Sequence, residues 1–301
     1  MSKELIYPNF LIVGTAKAAT TTIYNYLEQH PQIYLPYRKE PCFFTFANKQ
    51  NIKFSTGRPV QFITDFDEYT SLFKKGSHHT IRGEASTPYL YFYEETISNI
   101  KKYIPDYQNI KILIALRNPV ERAYSQYMMK VRDLVEDKSF ENALVLEGKR
   151  MEENAHFDFF YKDRGLYYQQ VKAYLDTFKD VKIIFFEEIK SDIEGVLNEI
   201  TSFLDLSEQE YSAIHRQNIS GISKYKFLTH FLKTKSWIKS LGGIFFPKKL
   251  KKRIHNYMMV KNVEKVDLLD KETKESLKEF YKEDLKKLEG LLGKNLSQWY
   301  T

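Results

Sequence analysis

Residues 10–22, FLIVGTAKAATTT, constrain this chain more than any other stretch. An apolar run from Phe10 to Val13 reaches Gly14, and a helical stretch from Thr20 to Gln29 stops before His30-Pro31, which reads as strand, tight loop and helix. The same grammar recurs. A second apolar run, Ile112 to Leu116, ends at Arg117 and Asn118-Pro119; behind it Val120, Ala123, Tyr124, Tyr127, Met128 and Val131 repeat on one helical face. Val171, Tyr174, Leu175 and Phe178 keep that spacing just before the strand-like VKIIFF at 181–186. Alternating units of this kind predict an α/β fold of three α/β/α layers around a mainly parallel sheet, with ligands at the carboxyl ends of its strands. Leu277, Phe280, Tyr281, Leu285 and Leu288 mark a long C-terminal helix, and residues 1–301 read as a single domain.

The loop after the first strand carries chemistry. A turn at Gly14 would aim backbone N–H groups at one point near the positive end of the helix dipole, the physical basis of a phosphate cradle. Lys17 adds a mobile positive charge, and Thr20, Thr21 and Thr22 add hydroxyls. The pattern GxxxxGK[ST] fails because no Gly-Lys pair follows, which disfavours an ordinary triphosphatase loop. The plainer alternative is a strand-to-helix connection with a threonine N-cap. A second constellation pairs Arg117, at a strand end, with Ser125 in the next helix; a guanidinium fork and a hydroxyl suit a phosphate monoester. Local capping by Arg117 is the alternative there. Two anion sites at the ends of two strands in one sheet would suit a ligand phosphorylated twice.

With 43% hydrophobic and 28% charged residues, the 301-residue chain can bury a sizeable core. The lone Cys42 rules out an intramolecular disulfide and a Cys-rich zinc site, and no apolar run approaches the roughly 18 residues that span a bilayer. A reducing, cytoplasmic location is expected. The net charge of +7 is uneven: residues 224–263 hold eleven Lys and Arg and no Asp or Glu, so the rest of the chain carries −4. This basic segment, rich in aromatics, reads as a helical insertion or substrate-side segment. It could face an acidic polymer, a nucleic acid or an anionic membrane surface, or be a solvated helical face.

GTAKAATTT, then RKEPCFF at 38–44, RGEASTPYLY at 82–91 and LRNPVERAYSQY at 116–127 together resemble the sulfotransferases that use 3′-phosphoadenosine 5′-phosphosulfate (PAPS), nearest to the bacterial and heparan-sulfate types. The likeness is clear over about residues 10–135, moderate over 164–224, faint across the basic segment and visible again near the C-terminus. It implies a P-loop-like fold whose first loop, Gly14, Thr15, Lys17, Ala18, Ala19, Thr20 and Thr21, holds the 5′-phosphosulfate. Arg117 and Ser125 would hold the 3′-phosphate. Arg216, Ser220, Gly221 and Lys224, in HRQNISGISK, would belong to a segment closing over the nucleotide. Where this chain has Ala19 the family commonly has glycine, and a positive φ there would cost alanine on the order of 1 kcal/mol.

The implied reaction is in-line transfer of a sulfuryl group to an acceptor hydroxyl, with 3′-phosphoadenosine 5′-phosphate (PAP) as product. By analogy with phosphoryl transfer it rests on positioning and fixed positive charge, here Lys17. Glu40 matches the family's general base in KEPCFF; Glu84 is the second carboxylate, either orienting substrate or pairing with Arg82. Lys39 and Tyr89 are further substrate-side candidates. Cys42 reads as a small buried residue, and the histidines lack metal-ligand spacing, so no metal is expected. The acceptor is expected to be a hydroxyl on a saccharide, glycolipid or other small molecule, with no nucleic-acid partner. A P-loop kinase and a non-catalytic module binding acidic polymers or membranes are the alternatives; Lys17→Ala separates the last, since it should abolish turnover but spare salt-sensitive association.

Overall fold

The computed structural model describes residues 5–56, 61–213, 222–223, 263–264 and 269–301. Five strands build one sheet: β1 (Phe10–Gly14), β2 (Ile33–Tyr34), β3 (Ile81–Ala85), β4 (Lys111–Leu116) and β5 (Val181–Phe185). Their order is β2-β3-β1-β4-β5, and every neighbouring pair is parallel. Six of the helices build the layers around it: α1 (Thr20–Leu27), α2 (Tyr93–Tyr103), α3 (Pro119–Arg132), α4 (Tyr168–Thr177), α5 (Ile193–Phe203) and α6 (Lys271–Leu292).

Both faces of the sheet are covered, so its central strands are apolar in nearly every position. Phe10 and Ile12 of β1, with Leu113 and Ala115 of β4, pack on Ile23 and Leu27 of α1 and Leu197 and Ile200 of α5. The alternate residues, Leu11, Val13, Ile112, Ile114 and Leu116, turn to the other side and meet Ile97 and Ile100 of α2, Val171 and Tyr174 of α4, and Leu285 and Leu288 of α6. Each such side chain, buried fully, contributes roughly 1.5–3 kcal/mol. This is the expected three-layer α/β architecture.

β3 lacks an apolar run because its neighbours leave little room. A Cβ on Gly83 would stand 2.6 Å from the ring of Phe10, its register partner on β1. The order of the strands fixes where a ligand can enter. From β1 the chain crosses to β2 on one side, and from β4 it crosses to β5 on the other, so a crevice opens between the carboxyl ends of β1 and β4. All of the basic segment but Val263 lies outside the described residues; Ile222–Ser223 and Val263–Glu264 pair as two antiparallel strands, the first beside α3.

Candidate active site

The loop between β1 and α1 forms one wall of that crevice. A Cβ on Gly14 would lie 2.5 Å from Leu90 Cβ, so only glycine lets the chain turn there. The Thr15 N–H donates to the Ala115 carbonyl at 2.5 Å, tying the loop to β4, and the Ala18 N–H returns to the Thr15 carbonyl at 3.2 Å. Lys17 and Ala19 both adopt positive φ, 74° and 64°. Ala19 therefore carries the strain that a left-handed alanine implies, about 1–2 kcal/mol. It is also the N-cap of α1, and no side chain caps that helix. The threonine N-cap alternative is thus excluded, and the first amides of α1 keep their capacity to bind an anion.

Across the crevice Arg117 follows β4. Its Nη1 donates to the Lys17 carbonyl at 3.2 Å, its Nη2 pairs with Glu121 Oε2 at 3.0 Å, and its guanidinium lies 4.3 Å from the centre of the Phe186 ring. Arg117 Nε is buried and finds no hydrogen-bond partner among the described residues. Glu121, Ser125, Met129 and Arg132 share one stripe of α3 by helical spacing. The stripe meets Arg117 at one end; toward the other, the Lys17 ammonium rests 3.5 Å from Met129 Sδ. Ser125 lies between those two contacts. Burial, then the nearby charges of Arg132 and Arg117, bring the Lys17 ammonium down to about 8. The two cations that the sequence proposed for separate anion sites therefore lie along one stripe of α3, with Arg117 against the backbone of Lys17.

The Glu40 loop completes the site. The Glu40 N–H donates to the Ala85 carbonyl at 3.0 Å, which fixes the loop to the end of β3. Glu40 and Cys42 both sit at φ 56°. The Glu40 carboxylate is 41% exposed. It accepts from the Lys39 ammonium at 3.3 Å and from Thr87 Oγ1 at 3.4 Å. Lys39 also reaches Thr21 Oγ1 at 2.9 Å, so one ammonium joins the first loop to the carboxylate. Thr87, Met129, Arg132 and the bridging geometry of Lys39 went unread in the sequence; only the stripe on α3 left a pattern that could have shown two of them.

Glu84 and Tyr89 belong elsewhere than at a substrate surface. Both are 0% exposed. Glu84 accepts hydrogen bonds from Tyr89 (2.6 Å), Ser86 (2.8 Å) and Tyr69 (3.1 Å), while Arg82 donates instead to the Tyr7 and His79 carbonyls. Burial raises the Glu84 carboxyl to about 7 against the opposing pull of these hydroxyls. Ser86 Oγ in turn accepts from the Cys42 N–H at 3.0 Å, so this buried cluster supports the Glu40 loop from beneath. Cys42 is buried as expected, and burial pushes its thiol well above the usual range. Arg216, Ser220, Gly221 and Lys224 lie outside the described residues. Among the described residues no group of three or more His, Cys, Asp or Glu gathers to hold a metal.

A sulfotransferase-domain family model matches residues 7–288, nearly the whole chain. The chain belongs to the sulfotransferase family. This sulfotransferase superposes on the crystal structure of a sulfotransferase from Alicyclobacillus acidocaldarius with a TM-score of 0.74 at 30% identity, covering 98% of this chain and 100% of the other. It is 26% identical over 297 residues to the membrane-associated sulfotransferase kil1 of Dictyostelium discoideum, covering 72% of this chain and 60% of that protein. Human carbohydrate sulfotransferase 15 is 23% identical over 248 residues, 66% of this chain and 44% of the relative. The sulfotransferase thus spans less than two thirds of these curated relatives. Family, fold and enzyme class agree with what the four motifs implied.

Proposed function

We propose that this sulfotransferase takes PAPS as donor and sulfates a carbohydrate hydroxyl. One observation carries the donor half: Arg117 donates to the backbone of Lys17 itself, which brings the two cation-bearing residues together at the carboxyl ends of β1 and β4. The orphan Nε of Arg117 and the uncapped start of α1 suit a ligand with two anionic ends. The amides at Ala19 and the first turn of α1, with the hydroxyls of Thr20 and Thr21, take the 5′ end, while the Thr15 and Ala18 amides are spent on holding the loop in shape, and Arg117 with Ser125 takes the 3′-phosphate. Bound there, the donor supplies an activated sulfuryl group on a phosphate leaving group.

The chain's own residues do the rest. Glu40 accepts the proton of the acceptor hydroxyl, leaving its oxygen free to bond to sulfur, a contribution of about 10²- to 10⁴-fold. Lys17 places an ammonium where negative charge grows as the old S–O bond breaks. Lys39, held by Thr21 and Glu40, keeps base and cradle in register. A carbohydrate acceptor draws support from relatives named as carbohydrate sulfotransferase 15 and as a heparan sulfate N-deacetylase/N-sulfotransferase.

The test is transfer of labelled sulfate from PAPS to a panel of saccharides. Label should enter a saccharide hydroxyl, and Lys17→Ala should lower turnover by about 10²- to 10³-fold without changing the melting temperature. A chain that binds PAP yet sulfates no saccharide contradicts the acceptor; one that binds no PAP contradicts the donor.

A further inference from the structure

The Lys17 ammonium rests on sulfur. Among the described residues it donates to Met129 Sδ, 3.5 Å away on α3, and a thioether is among the weakest acceptors a side chain can offer. The charges around that contact are mostly of one sign: Arg132, Arg117 and Lys130 repel the ammonium, and Asp133 opposes them. The backbone of Lys17 is held in place, at φ 74° and with its carbonyl accepting from Arg117. Travel of the ammonium between the sulfur and a bound anion is therefore left to the side chain's own rotations.

A weak acceptor suits a cation that must let go. The thioether steadies the ammonium in the free chain and yields it to an anionic oxygen, whose charge-assisted hydrogen bond is far stronger. Sulfur is also the atom of this pair whose acceptor strength can be changed by oxidation. Its lone pair attacks the outer oxygen of a peroxide; an S–O bond forms as the O–O bond breaks, the sulfur is oxidised by two electrons, and hydrogen peroxide leaves as water. The product is a sulfoxide, whose polar oxygen is a much better acceptor for an ammonium than the thioether was. Met129 is half-buried, while its neighbour Met128 is 6% exposed, so the methionine that touches Lys17 is the more accessible of the two.

We infer that Met129 is a redox-sensitive modification site: its sulfoxide, formed by a peroxide, captures the Lys17 ammonium and withholds it from the donor. The inference rests on the reading of Lys17 as the cation that meets the leaving group. It makes the enzyme one that oxidising conditions slow and a reductase restores.

The full chain is treated with graded hydrogen peroxide, and peptide mass spectrometry follows sulfoxide at Met129 and at Met151, which at 40% exposure reports the dose. Lys17 is read without nucleotide, from its rate of acylation by acetic anhydride across pH. In the unoxidised chain the amine should titrate near 8. A hydrogen bond to the charged form raises that value, so at pH 7 acylation of Lys17 should slow by about tenfold once Met129 is oxidised. Sulfate transfer from PAPS should fall by about 10- to 100-fold and return on treatment with methionine sulfoxide reductases. Met129→Gln, whose amide carbonyl imitates the sulfoxide oxygen, should acylate slowly at Lys17 with no peroxide, and Met129→Leu should show no response to peroxide; melting temperatures report the folding of each. A Met129 that stays reduced while Met151 is converted, Lys17 acylation indifferent to the sulfoxide, or a Met129→Leu variant as sensitive as the parent would overturn the inference. Slowed acylation with unchanged transfer would leave the capture standing and overturn the leaving-group reading of Lys17 instead.

Discussion

Glu40 and Glu84 lie on opposite sides of one loop and answer to opposite environments. Glu84 is sealed beneath it, held by three hydroxyl donors and lifted by burial to about 7. Glu40 stands 41% exposed above it, between Lys39 and Thr87. A shifted carboxyl is often a sign of catalysis, yet here the shifted group is fully buried and the accessible one faces Lys39 and Thr87. Access and partners, rather than the size of the shift, separate the proposed base from the support.

The largest expected effect breaks this comparison most cleanly. Glu40→Gln should lose about 10²- to 10⁴-fold in turnover while binding PAP as the parent does. Glu84→Gln should retain most of its turnover. Equal losses in two folded variants would mean that the buried carboxyl takes part in the chemistry.

Next, pH should act on different observables at the two buried ionisable groups. The Lys17 ammonium, lowered from 10.5 to about 8, loses its proton in the free chain above that value. An anion in the crevice raises it again, so PAP affinity should fall by up to about tenfold per pH unit between 8 and 10.5, with proton uptake on binding. Calorimetry in buffers of different ionisation enthalpy reads that uptake, and Lys17→Ala should abolish it. Glu84 should appear in stability instead. Its folded value, about 7, lies above the ordinary 4.5, so the stability it lends is complete below 4.5 and is lost as pH rises toward 7. Urea unfolding of the parent and of Glu84→Gln at pH 5 and pH 8 should show the variant gaining on the parent at the higher pH. A constant difference would place Glu84 in a wetter environment.

The smallest effect concerns a third carboxylate. Glu121 holds Arg117 Nη2 at 3.0 Å from an exposed position and competes with any anion for it. Glu121→Gln should tighten PAP binding by about threefold, in keeping with the modest strength of exposed ion pairs.

Much of this was legible in the residues, for reasons that differ by element. β1 and β4 announce themselves because both sheet faces are covered, which demands continuous apolar runs; β5, an edge strand half-buried over its first three residues, shows by its β-branched and aromatic residues. β3 does not: Gly83 yields to the Phe10 ring, and Glu84 is buried by hydroxyls brought from Tyr69, Tyr89 and Ser86, partners that only the tertiary fold assembles. β2, two residues long, leaves no period to detect. Lys17, Arg117 and Glu40 were nominated by their motifs, and the fold brings them to one region. That Lys39 would clasp both Thr21 and Glu40, or that Met129 would touch the Lys17 ammonium, depends on side-chain reach between loops far apart in the chain.

The central claim is that one nucleotide bridges Lys17 and Arg117 across the β1–β4 crevice, and paired titrations with PAP and with 5′-AMP test it most directly. PAP should bind in the micromolar range and 5′-AMP at least about tenfold more weakly, the difference being one charge-assisted phosphate contact; Arg117→Ala should make the two nearly equal. PAP and 5′-AMP binding alike to the parent, or a preference for PAP that outlasts the loss of the guanidinium, would contradict the account.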